Sequence, residues 1–76
     1  MATNNTFKVF HCQDFSVNTI EFSDIERLAR YIFPRQYFGD YFTIRCLETH
    51  NSSTFYCDDV KESLNDIKEF LEELTK

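Results

Sequence analysis

The sequence predicts an α+β fold, ββαββα in order, with a four-stranded antiparallel sheet and two helices on one face. Three observations carry that expectation. Aromatic and β-branched residues alternate in four short runs, apolar residues recur at helical spacing in two longer ones, and the order strand, strand, helix occurs twice. Strands followed by helices pack as two layers around one core.

The first run, Phe7 to Cys12, alternates as a strand does, and a shorter one follows from Thr19 to Phe22. Ser23-Asp24-Ile25-Glu26 then has the form of a capping box, with Ser23 as the cap and Glu26 reaching back to its amide. Ile25, Leu28, Ala29, Ile32 and Phe33 share one helical face, and Pro34 ends the helix. Beyond a connector, Tyr41 to Glu48 alternates again, turning Phe42, Ile44 and Cys46 one way and Thr43 and Arg45 the other. Thr49 to Ser53 is a polar turn, and Thr54 to Cys57 is the fourth strand. Asp59 with Glu62 suggests a second capping box. Val60, Leu64, Ile67, Leu71 and Leu74 then form the stripe of a helix that runs almost to Lys76.

A shift of about 35 residues, the length of one supersecondary unit, lays the two halves over each other in pattern more than in identity. Phe7 falls on Phe42, Val9 on Ile44, Asp24 on Asp59 and Ile32 on Ile67. Strands one and three are the longest and are expected in the centre of the sheet. The helices should cover Phe7, Val9, Ile20, Phe22, Phe42, Ile44, Cys46, Phe55 and Cys57.

Composition sets the bounds. The chain has 76 residues, 42% hydrophobic and 17% aromatic, with nine Phe but one Gly and one Pro. That is enough large apolar surface for a single compact domain over residues 1–76, with residues 1–5 expected to be flexible. No apolar stretch reaches the ~18 residues of a membrane span, and the polar N-terminus has no signal-peptide pattern. Three cysteines cannot all pair within one chain, which points to a cytoplasmic thiol protein. A net charge of −5 disfavours direct nucleic-acid binding and suits a protein partner with a basic surface.

Three surfaces are candidates for contact. The sheet face away from the helices should show Phe10, Tyr41, Leu47 and Tyr56 beside Lys8 and Arg45, where a solvated face would be polar. Phe15 and Val17 of the first hairpin are positioned to fold over it. The connector holds Tyr31, Arg35, Tyr37 and Phe38, residue types favoured at binding hot spots, although Tyr37 and Phe38 could instead close the end of a small core. The last helix carries Glu62, Asp66, Glu69 and Glu73 as like-charged neighbours, a pattern that most often marks a solvated face.

Chemical motifs are few. His11 and Cys12 are neighbours on a strand and point to opposite faces, so they form no nucleophile–base dyad. A second hairpin turning at Asn51-Ser52 would set Cys46 opposite Cys57, with His11 as a third neighbour. Their spacings lack the short pairs of zinc sites, and buried cysteines ordinarily act as small hydrophobes. No metal or cofactor is expected, and the carboxylates lie on an exposed helix where nothing raises a pKa. The residues therefore point to a non-enzymatic protein-binding module acting as an inhibitor or regulator, with carboxylates standing where phosphates would lie. By size and charge alone this is the type of small phage-encoded inhibitors, anti-CRISPR proteins among them. Two alternatives use the open sheet face: a homodimer or assembly subunit, and single-stranded nucleic acid stacked on the sheet aromatics.

Overall fold

In the computed structural model, which describes residues 5–76, the chain runs β1 (Phe7–Gln13), β2 (Ser16–Phe22), α1 (Ile25–Ile32), a 3₁₀ turn (Phe33–Arg35), β3 (Tyr41–Cys46), β4 (Ser52–Tyr56) and α2 (Leu64–Glu73). All neighbouring strands are antiparallel, in the order β2-β1-β3-β4. The ββαββα expectation therefore holds, and β1 and β3 are the central pair. Of the N-terminal residues expected to be flexible, 1–4 lie outside the described residues. Among the described residues no helix is long and apolar enough to cross a membrane.

Register decides which side chains meet. β1 pairs Phe7 with Cys46, Val9 with Ile44 and His11 with Phe42, so these six share the helix-facing side. Phe7, Val9, Phe42, Ile44 and Cys46 are wholly buried there against Leu28, Ala29 and Ile32 of α1 and Ile67 and Leu71 of α2. Aromatic rings meet edge to face across the layers, as Phe55 and Phe70 do with centroids 5.4 Å apart. Ile20 and Phe22 sit on the same side of β2 but are only half-buried, since β2 is an edge strand.

Several boundaries differ from the sequence reading. β2 starts at Ser16 rather than Thr19, because a two-residue turn at Asp14-Phe15 keeps it paired with β1 to the hairpin tip. The cap of α1 is Asp24, one residue beyond Ser23, and its carboxylate accepts the Glu26 N–H at 2.9 Å. Phe33, expected on the helical core stripe, falls in the 3₁₀ turn and is exposed. α2 begins at Leu64, capped by the Ser63 hydroxyl on the Asp66 N–H, rather than at Asp59. Val60 is consequently exposed and outside the apolar stripe, and Glu62 precedes the helix, so it has no helical spacing to Asp66. A tertiary clamp holds that segment extended: the Gln36 side-chain oxygen accepts the Lys61 N–H (2.7 Å), and its amide donates to the Lys61 carbonyl (3.0 Å).

Candidate functional site

Three cross-strand rows make up the face away from the helices. At one end Val17, Cys12, Tyr41 and Tyr56 stand in line; Thr19, Phe10, Thr43 and Thr54 form the middle; Glu21, Lys8, Arg45 and Ser52 form the other end. The face is thus graded from aromatic to charged. Tyr41 and Tyr56 are 40% and 61% exposed, with ring centroids 5.9 Å apart. Cys12, paired beside Tyr41 across the strands with its thiol donating to the Phe10 carbonyl at 3.8 Å, pushes that phenol above its ordinary 10.0. Phe10 is half-buried beneath the Lys8 ammonium, 5.7 Å from its ring. Leu47 lies just past β3, where its N–H bonds the Thr6 carbonyl at 2.9 Å, and is exposed far from the tyrosines.

Further aromatics gather at the tyrosine end. Phe15, at the β1–β2 tip, is fully exposed and does not fold back over the sheet. Tyr37 and Phe38 lead into β3 through a turn closed by the Asp40 N–H on the Tyr37 carbonyl (3.0 Å). Gly39 supplies the positive φ of +90 that this turn requires, and its N–H donates to the Asp58 carboxylate at 3.0 Å. Held in this way, Phe38 is 88% and Tyr37 59% exposed, so neither closes the core.

Tyr31 and Arg35 do not belong to this surface. Tyr31 is half-buried between Phe22 and Phe42, with ring centroids at 5.4 and 6.2 Å. Arg35 stacks its guanidinium 4.2 Å from the Tyr31 ring centre and donates to the Tyr31 carbonyl at 2.9 Å. The acidic residues lie elsewhere again. Asp66, Glu69 and Glu73 follow one face of α2 and, with Lys61 and Phe70, line a shallow depression, while Glu62 sits in the preceding segment.

His11 has a partner that sequence reasoning missed. Its Nε2 lies 3.2 Å from the Asp40 carboxylate, both residues are buried, and the ring stacks on Phe42 at 4.2 Å. The Tyr31 hydroxyl is 3.5 Å from Nδ1. Alternation already put His11 on the core side, where a ring nitrogen needs a partner, and that was the available signal. The expected proximity of His11, Cys46 and Cys57 does not form. The second hairpin turns earlier than expected, so Cys46 falls opposite Asn51 while Cys57 donates its N–H to the Asp40 carbonyl at the far end of β3. Among the described residues no group of His, Cys, Asp or Glu is arranged to hold a metal ion.

Comparison with family models, curated proteins and solved structures finds no match, so the chemistry of these surfaces is judged on their own side chains.

Proposed function

We propose that this chain is a non-catalytic protein-binding module, an inhibitor or regulator of a larger partner, and that its principal contact is the tyrosine end of the open sheet face. The observation that carries this reading is the gathering of Phe15, Phe38, Tyr41 and Tyr56 at one end of the molecule, all exposed. Large apolar side chains exposed together favour a macromolecular contact, and aromatic residues dominate the energetics of such contacts. The carboxylates of Asp14, Asp58 and Asp59 lie in the adjoining turns, which favours a partner that surrounds an apolar patch with lysine or arginine. The three free thiols are in keeping with a reducing, cytoplasmic setting.

The test is capture from host lysate with the wild-type chain, a Phe38→Ser/Tyr41→Ser double variant and a Lys8→Ser/Arg45→Ser double variant, each checked for native circular dichroism. Phe38, Tyr41 and Arg45 are exposed and Lys8 half-buried, none of them in the core, so each substitution should cost about 1 kcal/mol or less and folding should survive. A partner retained by the wild type and the charged-end variant, and lost by the tyrosine-end variant, is the expected result. Equal capture by all three would overturn the assignment. The same surface could be self-complementary, and a dimer in light scattering that Tyr41→Ser abolishes would make the partner a second copy. An oligonucleotide that binds wild type but not the Lys8→Ser/Arg45→Ser variant would replace the protein partner with single-stranded nucleic acid.

A further inference from the structure

We infer that the outer edge of β4 is a second docking site, one that takes an extended basic segment of a partner protein as a fifth strand. This rests on the protein-binding reading but uses a different part of the molecule. β4 ends the sheet, so one side of its backbone is unpaired. The bonds at the two ends of the β3–β4 ladder, Cys57 N–H to Asp40 carbonyl (3.1 Å) and Cys46 N–H to Asn51 carbonyl (2.8 Å), show which residues bond inward. Antiparallel ladders alternate, so Phe55 and Ser53 face β3, while Thr54 and Tyr56 aim their N–H groups outward. The Tyr56 carbonyl already accepts the Asp59 N–H at 3.2 Å. Thr54 is left presenting both a donor and an acceptor, the pair an added strand needs.

The edge also has a place for a side chain. A depression is lined by Thr54 and Tyr56 from the open face of the sheet together with Phe55 and Phe70 from its helix side. Residues of both faces can line one hollow only where it wraps the strand edge. It is mainly apolar and continues, through the shared Lys61 and Phe70, into the depression flanked by Asp66, Glu69 and Glu73. Asp59 completes four carboxylates along this path, against the ammonium of Lys61 and that of Lys76, which lies 3.4 Å from Glu73. That balance selects the occupant. A second copy of this chain would bring its own carboxylates against these, whereas alternating Lys or Arg with an apolar residue satisfies hollow and flank together.

The probe is a fluorescein-labelled peptide, Lys-Val-Arg-Phe-Lys-Val-Arg, titrated into the full chain by anisotropy and by amide chemical-shift mapping. Saturable binding with shifts centred on Thr54 and Tyr56 is expected, and methylating the peptide's edge-facing amides should weaken it at least about tenfold. Thr54→Pro should do the same, since proline is tolerated on an edge strand where its missing N–H faces solvent. Exchange of Lys and Arg for Glu in the peptide should abolish binding. No saturable binding, equal affinity of the methylated peptide, shifts centred on β2, or a β4-paired dimer of the chain would each overturn the inference. Should the peptide fail while Tyr41-dependent capture succeeds, the edge assignment falls and the protein-binding reading stands.

Discussion

A buried histidine gives up two hydrogen bonds with water, and His11 recovers them from Asp40 and Tyr31. Nε2 faces the Asp40 carboxylate at 3.2 Å and Nδ1 faces the Tyr31 hydroxyl at 3.5 Å, so each ring nitrogen has an oxygen partner. No buried side-chain nitrogen or oxygen among the described residues lacks a partner, so the core tolerates this polar group. Cys57, 1% exposed, donates its N–H to the Asp40 carbonyl at 3.1 Å. Burial first, then the Asp40 and Asp58 carboxylates, pushes its thiol from 9.0 up to about 11. The folded chain thus keeps a proton that the unfolded chain releases. Its contribution to stability is whole below pH 9 and is lost as pH rises to about 11. Urea unfolding across this window should show wild type losing stability faster than Cys57→Ala, since the tyrosines titrate in both. Parallel curves for the two proteins would refute the shift.

Between elements, local pattern was enough to find the strands but not to place the helix starts. Alternation in Phe7 to Cys12 and Tyr41 to Glu48 identified β1 and β3, which do form the sheet centre. Length is not what puts them there, since β2 has seven residues, as β1 does, and β3 only six. Ser23 and Asp24 are both good caps, and local sequence alone does not choose between them. Asp59 loses to Ser63 for a reason outside its own segment, the Gln36 amide that holds Lys61 extended from 25 residues away. The same remoteness hid Asp40 from the reading of His11, 29 positions earlier. That Tyr41 and Tyr56 share the open face was legible, because alternation alone decides which side of a strand a residue faces. Their pairing was not, since a turn at Asn51-Ser52 would set Tyr56 opposite Leu47. The β4 edge was not, because it needs strand order and ladder phase. Caps make the point measurable. Ser63→Ala should destabilise the chain by about 1 kcal/mol, within the usual range for a lost N-cap. Asp59→Ala, an exposed residue before the helix, should change stability by about 0.5 kcal/mol or less. Thermal unfolding that ranks the two the other way would return the start of α2 to Asp59.

Charge is distributed unevenly over the whole molecule. Residues 58–76 contribute −4 of the net −5, while Arg27, Arg30 and Arg35 lie on or just past α1. Part of this is tied internally. Glu26 joins Arg30 on its own helix to Lys68 on α2, and Lys68 first, then Arg30, holds its carboxyl below the ordinary 4.5. Among the described residues, Asp66 and Glu69 have no such cation beside them, and Glu73 meets only the exposed Lys76 ammonium, at 3.4 Å, a pair worth little in solvent. Asp66/Glu69 and Glu69/Glu73 stand three and four residues apart on one helix, a repulsion of about 0.2–0.5 kcal/mol for each pair. Glu73 also ends α2, where the helix dipole disfavours an anion. A purely structural α2 would gain from losing these charges, and a docking surface would lose by it. The Glu69→Gln/Glu73→Gln variant should therefore raise stability by about 0.5 kcal/mol, or about 2–4 °C in Tm for a domain of this length. In the same variant the affinity for a basic partner should fall, and raising the salt concentration should weaken wild-type binding more than it weakens the variant's. A variant that is more stable with undiminished affinity would show that the carboxylates serve hydration alone. Loss of both stability and affinity would show that α2 needs them for folding.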